Sequence, residues 1–218
     1  VFRLCVFFWL VVIFSPSVVA DQDGTASVVI ARLNDSLLKV MKNAQTLGYS
    51  GRYQILESAV TETHDLSRIA RFSVGKAWAD MTETQRTQFV DIFSRYSIAT
   101  YVDRFNGYGG ESFKIVKEQA LPRGRVLVKS LLESPEYGVV HFDYILDRRA
   151  GGRWKIINIM ADGVSDLALK RVHYTDVINK KGVDALFDEL EQKQQVTLRA
   201  SSCGANCCAV SSGLLVAI

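Results

Sequence analysis

The sequence predicts an α+β domain: a curved, four-stranded antiparallel sheet packed with several helices that enclose an apolar cavity. Three observations lead there. Apolar residues recur at helical spacing from Ala26 to about Phe105, four strand-like runs joined by short turns fill 111–161, and helical spacing returns after Gly163. Helices, a meander and helices again is an α+β order, with the helices on one side of the sheet. The 218 residues are 48% hydrophobic and 22% charged, enough for one domain whose core needs no disulfide or metal to stand. That composition excludes disorder and low complexity. A net charge of +3 gives no concentrated basic patch, so nucleic acid is not an expected partner.

Residues 1–20 carry one basic residue, Arg3, then an apolar run Leu4–Phe14, a Ser15-Pro16 break and Val18-x-Ala20 before polar Asp21. This is the layout of a cleaved signal peptide. The run is shorter than the roughly 20 apolar residues of a membrane-spanning helix. The mature protein is expected to begin near Asp21, outside the cytoplasm, with its domain over 21–200. Residues 201–218 read as a flexible tail holding Cys203, Cys207 and Cys208. No cysteine lies between Asp21 and Ala200, so the domain is expected to rest on its core alone. The adjacent Cys207-Cys208 pair lacks C-x-x-C spacing and a nearby His, so no metal is expected.

Within the domain, Val29, Leu33, Leu37, Val40 and Ala44 make one face of an amphipathic helix over 26–45. Gly48 and Gly51 punctuate it before a short helix around Tyr53–Thr63. His64-Asp65 leads into Leu66–Val74, and a further short helix covers Lys76–Asp80. Thr82-Glu-Thr-Gln85 has the form of a capping box and starts a long helix reaching about Phe105, with Phe89, Phe93, Tyr96 and Thr100 on one face. Gly107, Gly109 and Gly110 end it. They follow a helix, whereas phosphate loops precede one, so they read as a turn.

Strand character then takes over. Phe113 and Ile115 share a parity in Glu111–Leu121, and Val126 and Val128 share one in Arg125–Glu133. Val140, Phe142, Tyr144 and Leu146 form a period-2 row in Val139–Arg149. In Arg153–Ala161 both parities are apolar, which predicts a strand covered on two sides. Pro122-Arg-Gly124, Ser134–Gly138 and Ala150–Gly152 supply the turns. After Asp162-Gly163, Ser165-Asp166 can cap a helix to Lys181, and Gly182 separates it from a final helix, Val183–Gln195.

Chemistry-bearing clusters are sparse. His64, His141 and His173 are scattered without ligand spacing, and no nucleophile, phosphate-loop or dinucleotide motif occurs. No catalytic residue, metal or cofactor is expected. Asp143, Asp147, Asp162 and Asp166 could together furnish a general base. They keep open the alternative of a small-molecule enzyme using a pocket carboxylate such as Asp143 or Asp162. The aromatic surplus is more distinctive. Phe89, Phe93, Tyr96 and Tyr101 on the long helix are expected to face Phe113, Phe142, Tyr144 and Trp154 on the sheet. A pocket between them suits acyl chains, since shielding ten methylenes gains ~8 kcal/mol before entropy and desolvation costs.

Two stretches carry a family resemblance. Phe89-x-x-x-Phe93-x-x-Tyr96-x-x-x-x-Tyr101 before a glycine loop is one. Trp154-Lys-Ile-Ile-Asn-Ile-Met-Ala-Asp-Gly-Val-Ser165, followed by a helix and Gly182-Val-Asp-Ala-Leu-Phe187, is the other. Over most of residues 25–195 the chain resembles the MlaC family of periplasmic phospholipid-binding auxiliary proteins of ABC transport. The wording Ala161–Lys170 looks most like its hopanoid-associated HpnM branch. The resemblance implies a cone-shaped fold related to nuclear-transport-factor-like sheets, and a carrier with no catalytic residues. Its cargo would be phospholipid or hopanoid, its partners an inner-membrane ABC transporter complex and an outer-membrane lipoprotein complex. It implies a cavity lined by Phe89, Phe93, Tyr96, Phe113, Val126, Val128, Phe142, Tyr144, Trp154 and Ile156. The cysteine-bearing tail departs from the family pattern.

Overall fold

The structure, a computed structural model, describes residues 24–148 and 152–202. The expected signal peptide, most of the Ala150–Gly152 turn and all four cysteines lie outside the described residues. So does the expected tail, apart from Ser201 and Ser202.

Helix α1, Ala26–Lys42, buries Val29, Leu33, Leu37 and Val40 of the expected stripe, with Ile30 beside them, while Ala44 falls in the next helix. It is shorter than expected. Asn43 interrupts it, and α2 runs Ala44–Thr63 with non-helical backbone at Gly48 (φ 58°, ψ −168°). Only glycine takes that backbone conformation readily, so the glycine marks a real break. Helix α3, Leu66–Ser73, is capped by Asp65, whose carboxylate accepts from the Arg68 backbone N–H at 3.2 Å. A single turn, α4, covers Ala77–Asp80. Helix α5, Glu83–Arg104, opens on the capping box: the Gln85 N–H donates to Thr82 Oγ1 at 3.2 Å, and the Thr82 N–H donates back to Gln85 Oε1 at 3.0 Å.

The sheet is a meander in which every neighbour is antiparallel: β1 Ser112–Leu121, β2 Arg125–Ser134, β3 Gly138–Arg148, β4 Trp154–Ala161 and β5 Val164–Ser165. The expected four strands are therefore five. The fifth is two residues long, too short to show any periodicity, and folds back on Met160 and Ala161. Its turn is Asp162-Gly163, both at positive φ (46° and 82°), the backbone that a two-residue hairpin needs.

The apolar run of β4 has a different cause from the one its parity suggests. The register slips between Ile145 and Leu146, which pair with Asn158 and Ile156, leaving Ile157 as an extra residue. Such a bulge flips parity. Ile156 and Ile159 thereby join the same core cluster although they differ in parity, while Ile157 is buried apart from it.

Helix α6, Asp166–Lys181, starts on Ser165, whose hydroxyl accepts from the Ala168 N–H at 3.2 Å. Helix α7, Val183–Ser202, continues beyond Gln195. The interior divides into two clusters. One lies between the sheet and α1, α2 and the C-terminal half of α5. The other joins α3, the N-terminal half of α5, α6 and α7.

Candidate functional site

The larger cluster is floored by one face of the sheet. Val126 and Val128 of β2, Phe142 and Tyr144 of β3, and Ile156 of β4 are all buried there. Strand register explains their company: Val128 pairs with Tyr144, Val126 with Leu146, and Leu146 with Ile156. The Phe142 and Tyr144 rings stack at 6.2 Å. Phe113 and Trp154 are partly buried at the margins of this cluster, Trp154 with the Arg148 guanidinium 4.6 Å over its ring. Seven of the ten lining candidates thus share one interior.

The other three do not. Phe89, Phe93 and Tyr96 belong to the second cluster, where Phe89 meets Tyr174 of α6 at 6.4 Å and stacks on Phe187 of α7 at 5.7 Å. The expected facing of these residues onto the sheet is corrected. Helix α5 has 22 residues and is about 33 Å long, so only one end crosses the sheet. That end carries Ile98, Tyr101, Val102 and Phe105, and Tyr101 alone of the expected helix aromatics sits over the sheet. None of this quartet, nor Leu33 and Leu37 of α1 in the same cluster, is among the expected lining residues. Their signal was the continuation of the α5 stripe at three- and four-residue steps, past the aromatic run.

The two clusters meet at a polar junction. His64, buried between α2 and α3, has Nε2 3.0 Å from the Tyr101 hydroxyl and Nδ1 2.9 Å from Thr63 Oγ1. Burial, with Lys155 and Lys170 nearby, pushes its pKa down to about 3, so it is neutral at physiological pH. Asp166 and Lys170 form a largely buried ion pair one turn apart on α6. Burial pushes the carboxyl up and the ammonium down, and each opposes the shift of its partner. His64, Phe93, Tyr101, Asp166 and Lys170 surround a cavity of about 30 Å³. That volume suits one water molecule, not an organic substrate.

The remaining acidic candidates do surface work. Asp143 pairs with Lys129 at 3.6 Å and Asp147 with Arg68 at 2.6 Å. Asp162 is exposed and its carboxylate accepts from the His141 N–H at 2.9 Å, at the end of the β3–β4 ladder. His173 meets Glu189 on the surface. Asp143 and Asp162, the expected bases of an enzyme, do not line this cavity.

Comparison with known proteins agrees with this architecture. The chain matches a solved structure of a phospholipid-binding protein from Ralstonia solanacearum in complex with a phospholipid. The TM-score is 0.71 at 20% identity, covering 80% of this chain and 99% of that one, which establishes a shared fold. The sequence model of the MlaC protein matches residues 31–192, nearly three quarters of the chain. The chain belongs to the MlaC family.

Proposed function

We propose that this protein is a periplasmic lipid carrier that holds phospholipid tails between the sheet and the layer formed by α1 and the C-terminal half of α5. The observation that carries the reading is the sheet face of Val126, Val128, Phe142, Tyr144 and Ile156 under that layer, in a chain of the MlaC family. The phospholipid in the Ralstonia solanacearum relative supports the choice of cargo. Side chains occupy this interior, so tails enter by parting the helical layer from the sheet. The lining consists of the seven sheet candidates together with Leu33, Leu37, Ile98 and Tyr101. Phe89, Phe93 and Tyr96 anchor the fixed end of α5. Shuttling between an inner-membrane ABC transporter complex and an outer-membrane lipoprotein complex follows from the family resemblance. Hopanoid is the second cargo, on the wording of Ala161–Lys170.

Native mass spectrometry of the full chain, exported to a bacterial periplasm and purified without detergent, tests this. The expected spectrum shows protein plus the mass of one or more phospholipids. Protein that arrives lipid-free and takes none from vesicles removes the reading. Val128→Phe adds bulk in mid-sheet at a cost of about 1–3 kcal/mol. It is expected to retain less lipid while keeping a native circular dichroism spectrum.

A further inference from the structure

Beside the face that buries Phe89 and Phe93, the first half of α5 lines an open groove of about 620 Å³ together with α3 and Trp78 of α4. Volumes of roughly 300–1,000 Å³ hold a small ligand or a few side chains.

The groove combines arginine with aromatic rings. Arg68 of α3 holds its guanidinium 5.5 Å over the Phe72 ring, and Arg86 of α5 holds its own 5.7 Å over Trp78. Both are fixed in place. Arg68 is tied to Asp147 at 2.6 Å, and Arg86 donates Nε and Nη2 to the Trp78 and Ala79 carbonyls at 3.0 and 3.1 Å. Arg71 also lines the groove, is exposed, and has no hydrogen bond or ion pair among the described residues. Val90 adds apolar wall, and Phe72 is 36% exposed. The only carboxylate in the lining is Glu83, which points largely to solvent and lies 3.4 Å from Arg86. Near the end of α3, Lys76 is exposed, and Arg171 of α6 sits so close to Gly75 that a Cβ there would lie 3.1 Å from its Nε. Asp80 of α4 offsets one of these charges. With Asp147 and Glu83 set against Arg68 and Arg86, the face stays positive.

Fixed arginines over aromatic rings are the composition of a protein-docking hot spot, where aromatic residues and Arg are enriched and Lys is depleted. A bilayer surface draws on Lys as readily as on Arg and has no use for a concave wall. We propose that this groove docks an acidic segment of a partner protein. An aromatic or branched aliphatic side chain of that segment seats against Phe72, Trp78 and Val90, and a carboxylate pairs with Arg71. The inference goes beyond cargo binding and does not depend on it, since none of these residues belongs to the interior assigned to the tails. Docking falls on the half of α5 held by the smaller cluster, so the half over the sheet remains free to part from it.

Phage-displayed random peptides selected against the full chain test this, with the strongest binder synthesised and titrated by fluorescence anisotropy. The selected sequences are expected to set Asp or Glu beside Phe, Trp or Leu, and their binding to weaken as salt is added. Arg71→Glu, at an exposed side chain without partners, should weaken binding about tenfold while Tm and lipid retention stay at wild-type values. Phe72→Ala should weaken it by a similar factor. A selection that enriches nothing, or only neutral and basic sequences, overturns the proposal. So does an acidic peptide whose affinity is the same in both variants and wild type. Phosphatidylglycerol vesicles form a further arm: sedimentation of wild type with them, lost in Arg71→Glu and with no acidic peptide selected, would give the face to a membrane surface and overturn the protein partner. Lipid retention is read separately by native mass spectrometry, so none of these results decides the carrier reading.

Discussion

His64 shows how a single side chain ties stability to pH. Burial, with Lys155 and Lys170 facing it, lowers its pKa to about 3, whereas an unfolded histidine titrates at about 6.5. The Tyr101 hydroxyl faces its Nε2, and Asp166 lines the same small cavity. The folded-state pKa is depressed, so the contribution of this residue is complete above pH 6.5. It drains away as pH falls from there toward 3, at no more than about 1.4 kcal/mol per pH unit. Urea unfolding at a series of pH values should show this acid limb, and His64→Gln should flatten it. Equal slopes in the two proteins would assign the limb to other groups. None of this was readable in the sequence. His64 looked like a helix-start residue because its partners Tyr101, Asp166 and Lys170 lie 37 or more positions away, and no local pattern records such distances.

Elements were legible where one local rule governs them. The capping box of α5 and the alternating row of β3 depend on residues three or two apart, and both formed as read. The Thr82→Ala change should lower stability by about 1 kcal/mol, since it removes the side-chain acceptor for the Gln85 N–H. At Gly48 an added Cβ meets nothing within 4 Å, yet the backbone sits at φ 58°, ψ −168°. The Gly48→Ala penalty should therefore be pure backbone strain, about 1–3 kcal/mol. A smaller loss would mean that the break at α2 straightens. Thermal denaturation measures both. Sequence reading failed where an element's neighbours decide its meaning. Helical spacing shows that Phe89 and Phe93 share a face with each other. It does not show that α6 and α7, not the sheet, lie opposite, because those helices arrive about 80 residues later. The bulge at Ile157 and the two-residue β5 are equally silent, since each is smaller than the window that reveals a period.

For the molecule as a whole, bound lipid should act as part of the core. A ligand present at about a hundred times its dissociation constant stabilises the fold by roughly 2.7 kcal/mol, which is ~5–10 °C in Tm for a chain of this size. Stripping lipid with a mild detergent and then removing the detergent should lower Tm by that amount, and returning phospholipid should restore it. A Tm indifferent to lipid would place the cargo outside the core.

The two clusters are interleaved along the chain. The smaller is built from residues 69–93 and 174–190, and the larger claims 26–60 and 98–161. Neither can be excised by one cut. The meander consists of neighbouring hairpins with local pairing, which form early because little loop closure opposes them. The smaller cluster cannot close until α6 and α7 have been made, after the meander is complete. As the chain folds, the first half of α5 thus keeps Phe89 and Phe93 uncovered, a greasy surface open to chaperones until the last helices dock. A chain truncated before Val183 would keep Tyr174 beside Phe89 but lose the stack of Phe89 on Phe187.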